Sequence, residues 1–363
     1  MCATKTQLLT SKVLRSSPSN LKDIILRTEV KHRPPLEPEI HTKCIKQISS
    51  ISKKTPKLTL SADLFEQYNK EFARVSPNEL SKVNSFFNSS MVKFEWACSS
   101  FLAIPGENLK RDIKLRQKEE EKLIADTANF IDSIKVPGSS PVFCDDDHLP
   151  KKPRKRYPGK TDGIPFELLN GLPEVAFLGR CNSGKSTLLN NLTTGFQRVK
   201  LNAYARASRR PGFTKTINCF NVGNKLRLID TPGYGVKGTK EQGTLTMDYL
   251  RERKELRRTF VLISADLGFT PLDTMIIDFL VTHGIPFELV FTKMDKVKNV
   301  KRIHSIIQNS GILNLPVLPQ ITFLNSTTNK QFQKRYGVDQ LRYLIFQACN
   351  LKPGTLPSKS AKL

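Results

Sequence analysis

The run Gly179-Arg180-Cys181-Asn182-Ser183-Gly184-Lys185-Ser186 is a complete G-x-x-x-x-G-K-[ST] phosphate-binding loop. Gly179 and Gly184 let the backbone turn so that successive N–H groups face an anion. Lys185 is placed to bridge the terminal phosphates, and Ser186 to ligate magnesium. Asp230-Thr231-Pro232-Gly233 supplies a second element: the acid can hold a magnesium-bound water, and the Gly233 amide can sense the terminal phosphate. Thr292-Lys293-Met294-Asp295 supplies a third. Its Asp295 carboxylate can accept two hydrogen bonds from the N1 and N2 edge of guanine, while the Lys293 stem covers the base plane. Adenine would leave that acid unpaired, so such a site discriminates strongly. Asn325-Ser326-Thr327 is the expected second base-contacting loop.

A threonine is still needed to complete the magnesium shell when the terminal phosphate is present. The stretch Ala205–Thr216 offers Thr214, with Thr216 as the alternative, and its arginines could contact RNA or offset phosphate charge. The nucleotide-binding set is therefore Gly179, Arg180, Cys181, Asn182, Ser183, Gly184, Lys185, Ser186, Thr187, Gly212, Thr214, Thr216, Asp230, Gly233, Thr292, Lys293, Asp295, Asn325, Ser326 and Thr327. Within it, Lys185, Thr214 and Gly233 are the catalytic candidates. Ser186 and Thr214, with Asp230 through water, are the metal candidates.

These residues need elements to hold them. Short apolar runs predict strands at Val175–Leu178, Thr216–Val222, Lys225–Ile229, Thr259–Ala265, Phe287–Phe291 and Gln320–Leu324. Gly223-Asn224 is a hairpin turn between the second and third of these. Helices are expected at Lys185–Leu192, Leu245–Arg257, Leu272–Thr282, Val300–Gln308 and Val338–Ala348. Strands alternating with helices define an α/β fold with a mainly parallel sheet.

The preceding residues differ in character. Residues 1–57 read as a basic leader and Pro-containing linker; the first 22 residues hold Lys5, Lys12, Arg15 and Lys22 and no acid, a composition that suits a mitochondrial transit peptide or a disordered basic terminus. Residues 58–136 read as a helical extension, with a capping box at Ser76-Pro77-Asn78-Glu79 and an apolar face of Leu80, Val83, Phe87 and Met91. Residues 137–169 are a charged linker containing the basic cluster Lys151–Arg156, which could neutralise phosphates or act as a nuclear signal. Residues 170–350 form the nucleotide-binding domain, and 351–363 a tail. The tail ends Ala361-Lys362-Leu363, a degenerate form of a peroxisomal signal.

Lys and Arg number 58 against 33 acids, a net charge of +25, so a polyanion is the expected partner. Seven cysteines without CxxC spacing read as reduced thiols, and five histidines show no ligand spacing. The apolar runs are too short to span a bilayer. The chain is read as a monomer.

Taken together, Pro173–Phe177, the loop Gly179–Ser186, Arg206–Asn218, Asp230-Thr231-Pro232-Gly233-Tyr234-Gly235, Thr292–Asp295 and Asn325–Thr327 resemble the EngB (YihA) family of GTPases. The resemblance covers roughly residues 170–350. It implies a Ras-like P-loop GTPase domain, preceded by a partly helical, partly disordered extension. It also implies binding of GTP and GDP with magnesium, and action in assembly of the large ribosomal subunit; the +25 charge adds the expectation that it docks on ribosomal RNA. The long extension resembles the organellar branch, hence a mitochondrial setting. The sequence departs from the family at Ser264-Ala265-Asp266-Leu267, where an Asp-x-Arg-His is usual, and at Thr231, where Leu is commoner. Tyr234 stands where Ras-like enzymes carry the water-orienting glutamine, so slow hydrolysis needing a partner is expected. Asn182 occupies the position where related GTPases coordinate potassium. A GTP-binding scaffold that never turns over, and a P-loop kinase or ATPase, are the other readings; the TKxD loop argues against the last.

Overall fold

A computed structural model describes residues 57–134 and 171–358, except 197, 199, 207–213, 236–237, 298 and 329–333. Gly212, the transit-peptide residues, the cluster Lys151–Arg156 and the Ala361–Leu363 end lie outside the described residues. The chain divides into two compact units, residues 1–99 with 172–363, and residues 100–171.

In the larger unit, α1 (Lys57–Tyr68), α2 (Pro77–Ser89) and β1 (Val92–Cys98) come first. In the smaller unit a turn of 3-10 helix, Phe101–Ala103, precedes α3 (Glu107–Ile134). Its 28 residues would span about 42 Å at the usual rise. Back in the larger unit follow β2 (Glu174–Gly179), α4 (Lys185–Leu192), β3 (Ile217–Val222), β4 (Leu226–Asp230) and α5 (Lys240–Glu252). Then come β5 (Leu256–Ser264), α6 (Pro271–Thr282), β6 (Phe287–Thr292), α7 (Val300–Asn309), β7 (Ile321–Phe323) and α8 (Val338–Ala348).

The seven strands lie in the order β1-β3-β4-β2-β5-β6-β7. The pairs from β4 through β2, β5 and β6 to β7 are parallel, while β3 runs antiparallel to β1 and β4. Every residue of β2, β4 and β6 is buried. Burial on both faces is what a helix-covered parallel sheet requires, and it explains why these strands are mostly apolar on both faces, with Arg227 and Glu288 among the buried exceptions. This is the Ras-like P-loop arrangement expected from the sequence. Among the described residues no helix is long and apolar enough to cross a membrane.

Two expectations are corrected. Residues 240–252 form α5, where a helix over 245–257 was expected, and β5 begins at Leu256. Thr239 and Gln242 close a capping box that starts the helix early, and Glu174 N–H bonds the Glu255 carbonyl, drawing the following residues toward the sheet. The extension over 58–136, expected to be helical, contains β1. The helix carrying Val83 and Phe87 stops at Ser89, and Met91 is 57% exposed rather than packed. Val92-x-Phe94-x-Trp96-x-Cys98 alternates with period two, and sheet pairing with β3 outweighs the weak continuation of the helical stripe. A register shift between Phe94 and Trp96 marks a bulge on this outer strand.

Helix α2 and strand β1 are built into the sheet domain. Val83, Phe86 and Phe87 of α2 share one apolar cluster with Leu188 and Leu192 of α4 and Leu341 and Ile345 of α8. At its edge lies fully buried Arg342. Its guanidinium donates to the Leu192 carbonyl at 2.7 and 3.0 Å, to the Thr194 carbonyl at 3.0 Å, and to Asn84 and Asn88 of α2 at 3.0 and 3.2 Å. It thus caps the end of the helix that follows the phosphate loop and clasps α2 to it. A second buried set ties β1 to β4 through Arg227 Nε, which donates to Glu95 at 2.6 Å, while Arg253 at the end of α5 donates to Glu174 of β2 at 2.6 and 2.9 Å.

Candidate functional site

The phosphate loop lies between β2 and α4, the strand-to-helix setting its chemistry needs. Gly184, the residue before α4, has φ +101, a conformation that a side chain would strain. Lys185 is buried, and its ammonium donates to the Gly179 carbonyl at 2.9 Å and the Arg180 carbonyl at 3.1 Å. Burial pulls the Lys185 pKa down, and the Asp230 carboxylate partly restores it. Burial pushes the Asp230 pKa up, offset in part by Lys185 and by the Ser186 hydroxyl.

Ser186 Oγ donates to Asp230 Oδ2 at 2.7 Å, so two of the metal candidates meet across 44 residues of sequence. The other oxygen, Oδ1, is buried with no hydrogen-bond partner among the described residues. An unpaired buried carboxylate oxygen beside a hydroxyl fits a hydrated divalent cation. Among the described residues no cluster of three His, Cys, Asp or Glu could cage a metal. Magnesium usually takes one or two protein ligands and completes its shell with phosphate and water, and the Ser186 hydroxyl with the Asp230 carboxylate fits that donor set. Thr214 is half-buried just ahead of β3; Thr216 instead donates its hydroxyl to Asn218 at 3.0 Å.

Gly233 lies directly against the phosphate loop. A methyl group at Gly233 would stand 2.8 Å from the Cys181 nitrogen and 3.0 Å from Lys185 Nζ, so no other residue fits there. The turn is also paired to the loop through its backbone: Cys181 N–H donates to the Tyr234 carbonyl at 3.0 Å, and Tyr234 N–H to the Gly179 carbonyl at 3.4 Å. Arg180 and Tyr234 thereby form an isolated parallel bridge.

The candidate base-reading loops are joined to the same frame. Thr292 Oγ1 donates to the Ser183 carbonyl at 2.7 Å, bracing the phosphate loop from the end of β6. Lys293 adopts φ +58, an uncommon left-handed conformation for a non-glycine residue, and is half-buried. Burial lowers its pKa, while Asp266 raises it. Met294 N–H donates to the Leu324 carbonyl at 3.3 Å, which brings the Asp295 loop beside the loop after β7. In that second loop Asn325 is buried, its amide donating to the carbonyls of Thr327 at 3.0 Å and Lys334 at 3.2 Å, while its own oxygen accepts from Tyr336 N–H at 2.9 Å. Its side chain holds the loop together, and Ser326 and Thr327 are the more exposed members.

Motif reading missed two partnerships. Arg180 pairs with a helix: its Nε lies 3.6 Å from Asp273 Oδ2 on α6. Tyr234 Oη donates to Asp273 Oδ1 at 2.6 Å. The signal available was Thr270-Pro271-Leu272-Asp273, legible as a helix start but not as a partner of Tyr234.

Fold and motifs together define a P-loop GTPase of the Ras-like class. A family model described as a 50S ribosome-binding GTPase matches residues 174–293. MIOREX complex component 8 of Saccharomyces cerevisiae is 40% identical over 288 residues, 79% of either chain. The probable GTP-binding protein EngB of Caulobacter vibrioides is 35% identical over 185 residues, 49% of this chain and 76% of that one. That of Roseobacter denitrificans is 35% identical over 213 residues, 55% and 93% respectively. The chain belongs to the EngB family of GTP-binding proteins.

Proposed function

We propose that this GTPase is a slow, magnesium-dependent switch in assembly of the mitochondrial large ribosomal subunit, or in mitochondrial translation, acting through ribosomal RNA. The observation that carries the reading is the convergence of Lys185, the Ser186–Asp230 pair and the Gly233 turn on one loop, braced by Thr292 of the guanine-reading motif. Magnesium would be held by Ser186 and Thr214 directly and by Asp230 through water, and when bound it neutralises charge on the phosphates. Lys185 approaches the terminal phosphates, the Gly233 amide reads the last of them, and Asp295 reads the base. Tyr234 has no side-chain amide to orient water, so turnover waits on a partner. Asn182 would help hold a potassium ion against the phosphates, and when bound that ion would offset part of their negative charge.

The ribosomal part rests on the 50S ribosome-binding description of the matching family model, on the +25 charge and on kinship with a component of the yeast MIOREX complex. The mitochondrial setting is supported by the acid-free basic start of the chain. One experiment tests the core. Phosphate release from GTP is measured under multiple turnover, in sodium and in potassium, with and without mitochondrial ribosomal particles. Stimulation by particles that weakens steeply with salt is expected. Turnover indifferent to particles and to the monovalent cation would refute the switch. Binding without any phosphate release would favour the second reading, a non-hydrolysing scaffold, which Tyr234 keeps in play.

A further inference from the structure

Asp273 is fully buried at the start of α6, and its two oxygens have separate duties. Oδ2 accepts from Thr270 N–H at 2.8 Å and from the Thr270 hydroxyl at 2.6 Å, with Arg180 Nε 3.6 Å away. All of this carboxylate's capping bonds fall on that oxygen. Oδ1 accepts from the Tyr234 hydroxyl at 2.6 Å, a contact with no role in capping. A buried carboxylate oxygen without a donor is costly, so Asp273 resists release of Tyr234.

Tyr234 is held at both ends. Its ring hydroxyl is bound to α6, and its backbone is paired with Gly179 and Cys181. Gly233, one residue earlier, lies tight against Cys181 and Lys185. We propose that Asp273 is a positioning residue for the nucleotide-sensing turn: through the Tyr234 hydroxyl it fixes the Gly233 amide over the phosphate loop, so that the turn is preorganised for the terminal phosphate of GTP. This rests on the reading of Gly233 as the phosphate-sensing amide. Tyr234 then contributes by its anchorage, in the position where a Ras-like enzyme would orient water.

The test uses the full chain as wild type, Tyr234→Phe and Thr270→Val. The first variant removes only the hydroxyl that reaches Oδ1; the second removes a capping hydroxyl from Oδ2 and serves as the structural control. Amide hydrogen exchange is followed at Cys181 and Tyr234 in nucleotide-free protein, and affinities are measured for GDP and for a non-hydrolysable GTP analogue. Tyr234→Phe is expected to speed exchange at both amides and to lower the GTP-analogue affinity about tenfold, with GDP affinity unchanged. Thr270→Val is expected to lower the melting temperature and move neither readout. Equal losses for both nucleotides, or exchange as in wild type, would overturn the proposal. If wild type bound neither nucleotide, the phosphate-sensing reading itself would fall, and the exchange data would still decide whether Asp273 holds the turn.

Discussion

The Ser186 hydroxyl donates directly to Asp230 at 2.7 Å, joining the first residues of α4 to the end of β4. The pair leaves one Asp230 oxygen buried and unsatisfied. A buried carboxylate oxygen of this kind suits a cation or its bound water.

Asp230→Asn is therefore expected to weaken magnesium-dependent GTP binding about 10- to 100-fold, the usual range for loss of a supporting metal contact. Binding measured in excess chelator should hardly change. Fluorescent-nucleotide titrations with and without magnesium check this. Equal loss in both conditions would show that Asp230 acts only in the fold.

Asp295→Asn is expected to exchange base preference. An amide can donate where the carboxylate only accepts, which suits xanthine better than guanine. A change of at least about tenfold in the ratio of GTP to XTP affinity follows from gain and loss of charged hydrogen bonds. Competition titration of the two nucleotides reads the ratio, and an unaltered GTP affinity would refute the base assignment.

Arg342→Met should destabilise the domain although it lies outside the nucleotide motifs. It strands the Leu192 and Thr194 carbonyls and releases Asn84 and Asn88. A loss of about 2–4 kcal/mol is expected from several unmet buried hydrogen bonds. For a domain of this size that is about 4–16 °C in melting temperature. Scanning calorimetry decides, and an unchanged midpoint would mean that α2 is merely appended.

Glu288 gives stability a pH dependence. Burial on β6 raises its pKa from the ordinary 4.5 to about 7, against the opposing pull of Arg258 and the Gln320 N–H. A raised folded-state value means that the native state holds the proton more tightly than the unfolded chain. The contribution is fully present below about pH 4.5 and is lost as pH rises through about 7. Chemical denaturation across that window should show a decline attributable to Glu288, and Glu288→Gln should flatten it. An identical slope in the variant would disprove the attribution.

Much of the site was legible because its chemistry is local. The phosphate loop is eight consecutive residues whose glycines and lysine have one common use, and the strand before it is marked by its unbroken apolar run. The hairpin of β3 and β4 was announced by Gly223-Asn224. β1 was harder. Its alternating residues follow a helical stripe, and only the partner strand β3, more than a hundred residues away, makes extended structure the better choice.

The residue types alone pointed to the class of ligand: backbone amides and an ammonium suited to phosphates, one carboxylate proposed for guanine, and a hydroxyl and an acid proposed for magnesium. Those are properties of functional groups at short spacing and survive in any window that contains them. Tertiary structure alone decided which groups are already engaged. It placed Asn325 inside its own loop, turned Arg180 to Asp273, and tied Tyr234 to a helix 39 residues further on. Such pairings depend on burial, which compels each polar atom to find a donor or acceptor wherever the folded chain supplies one.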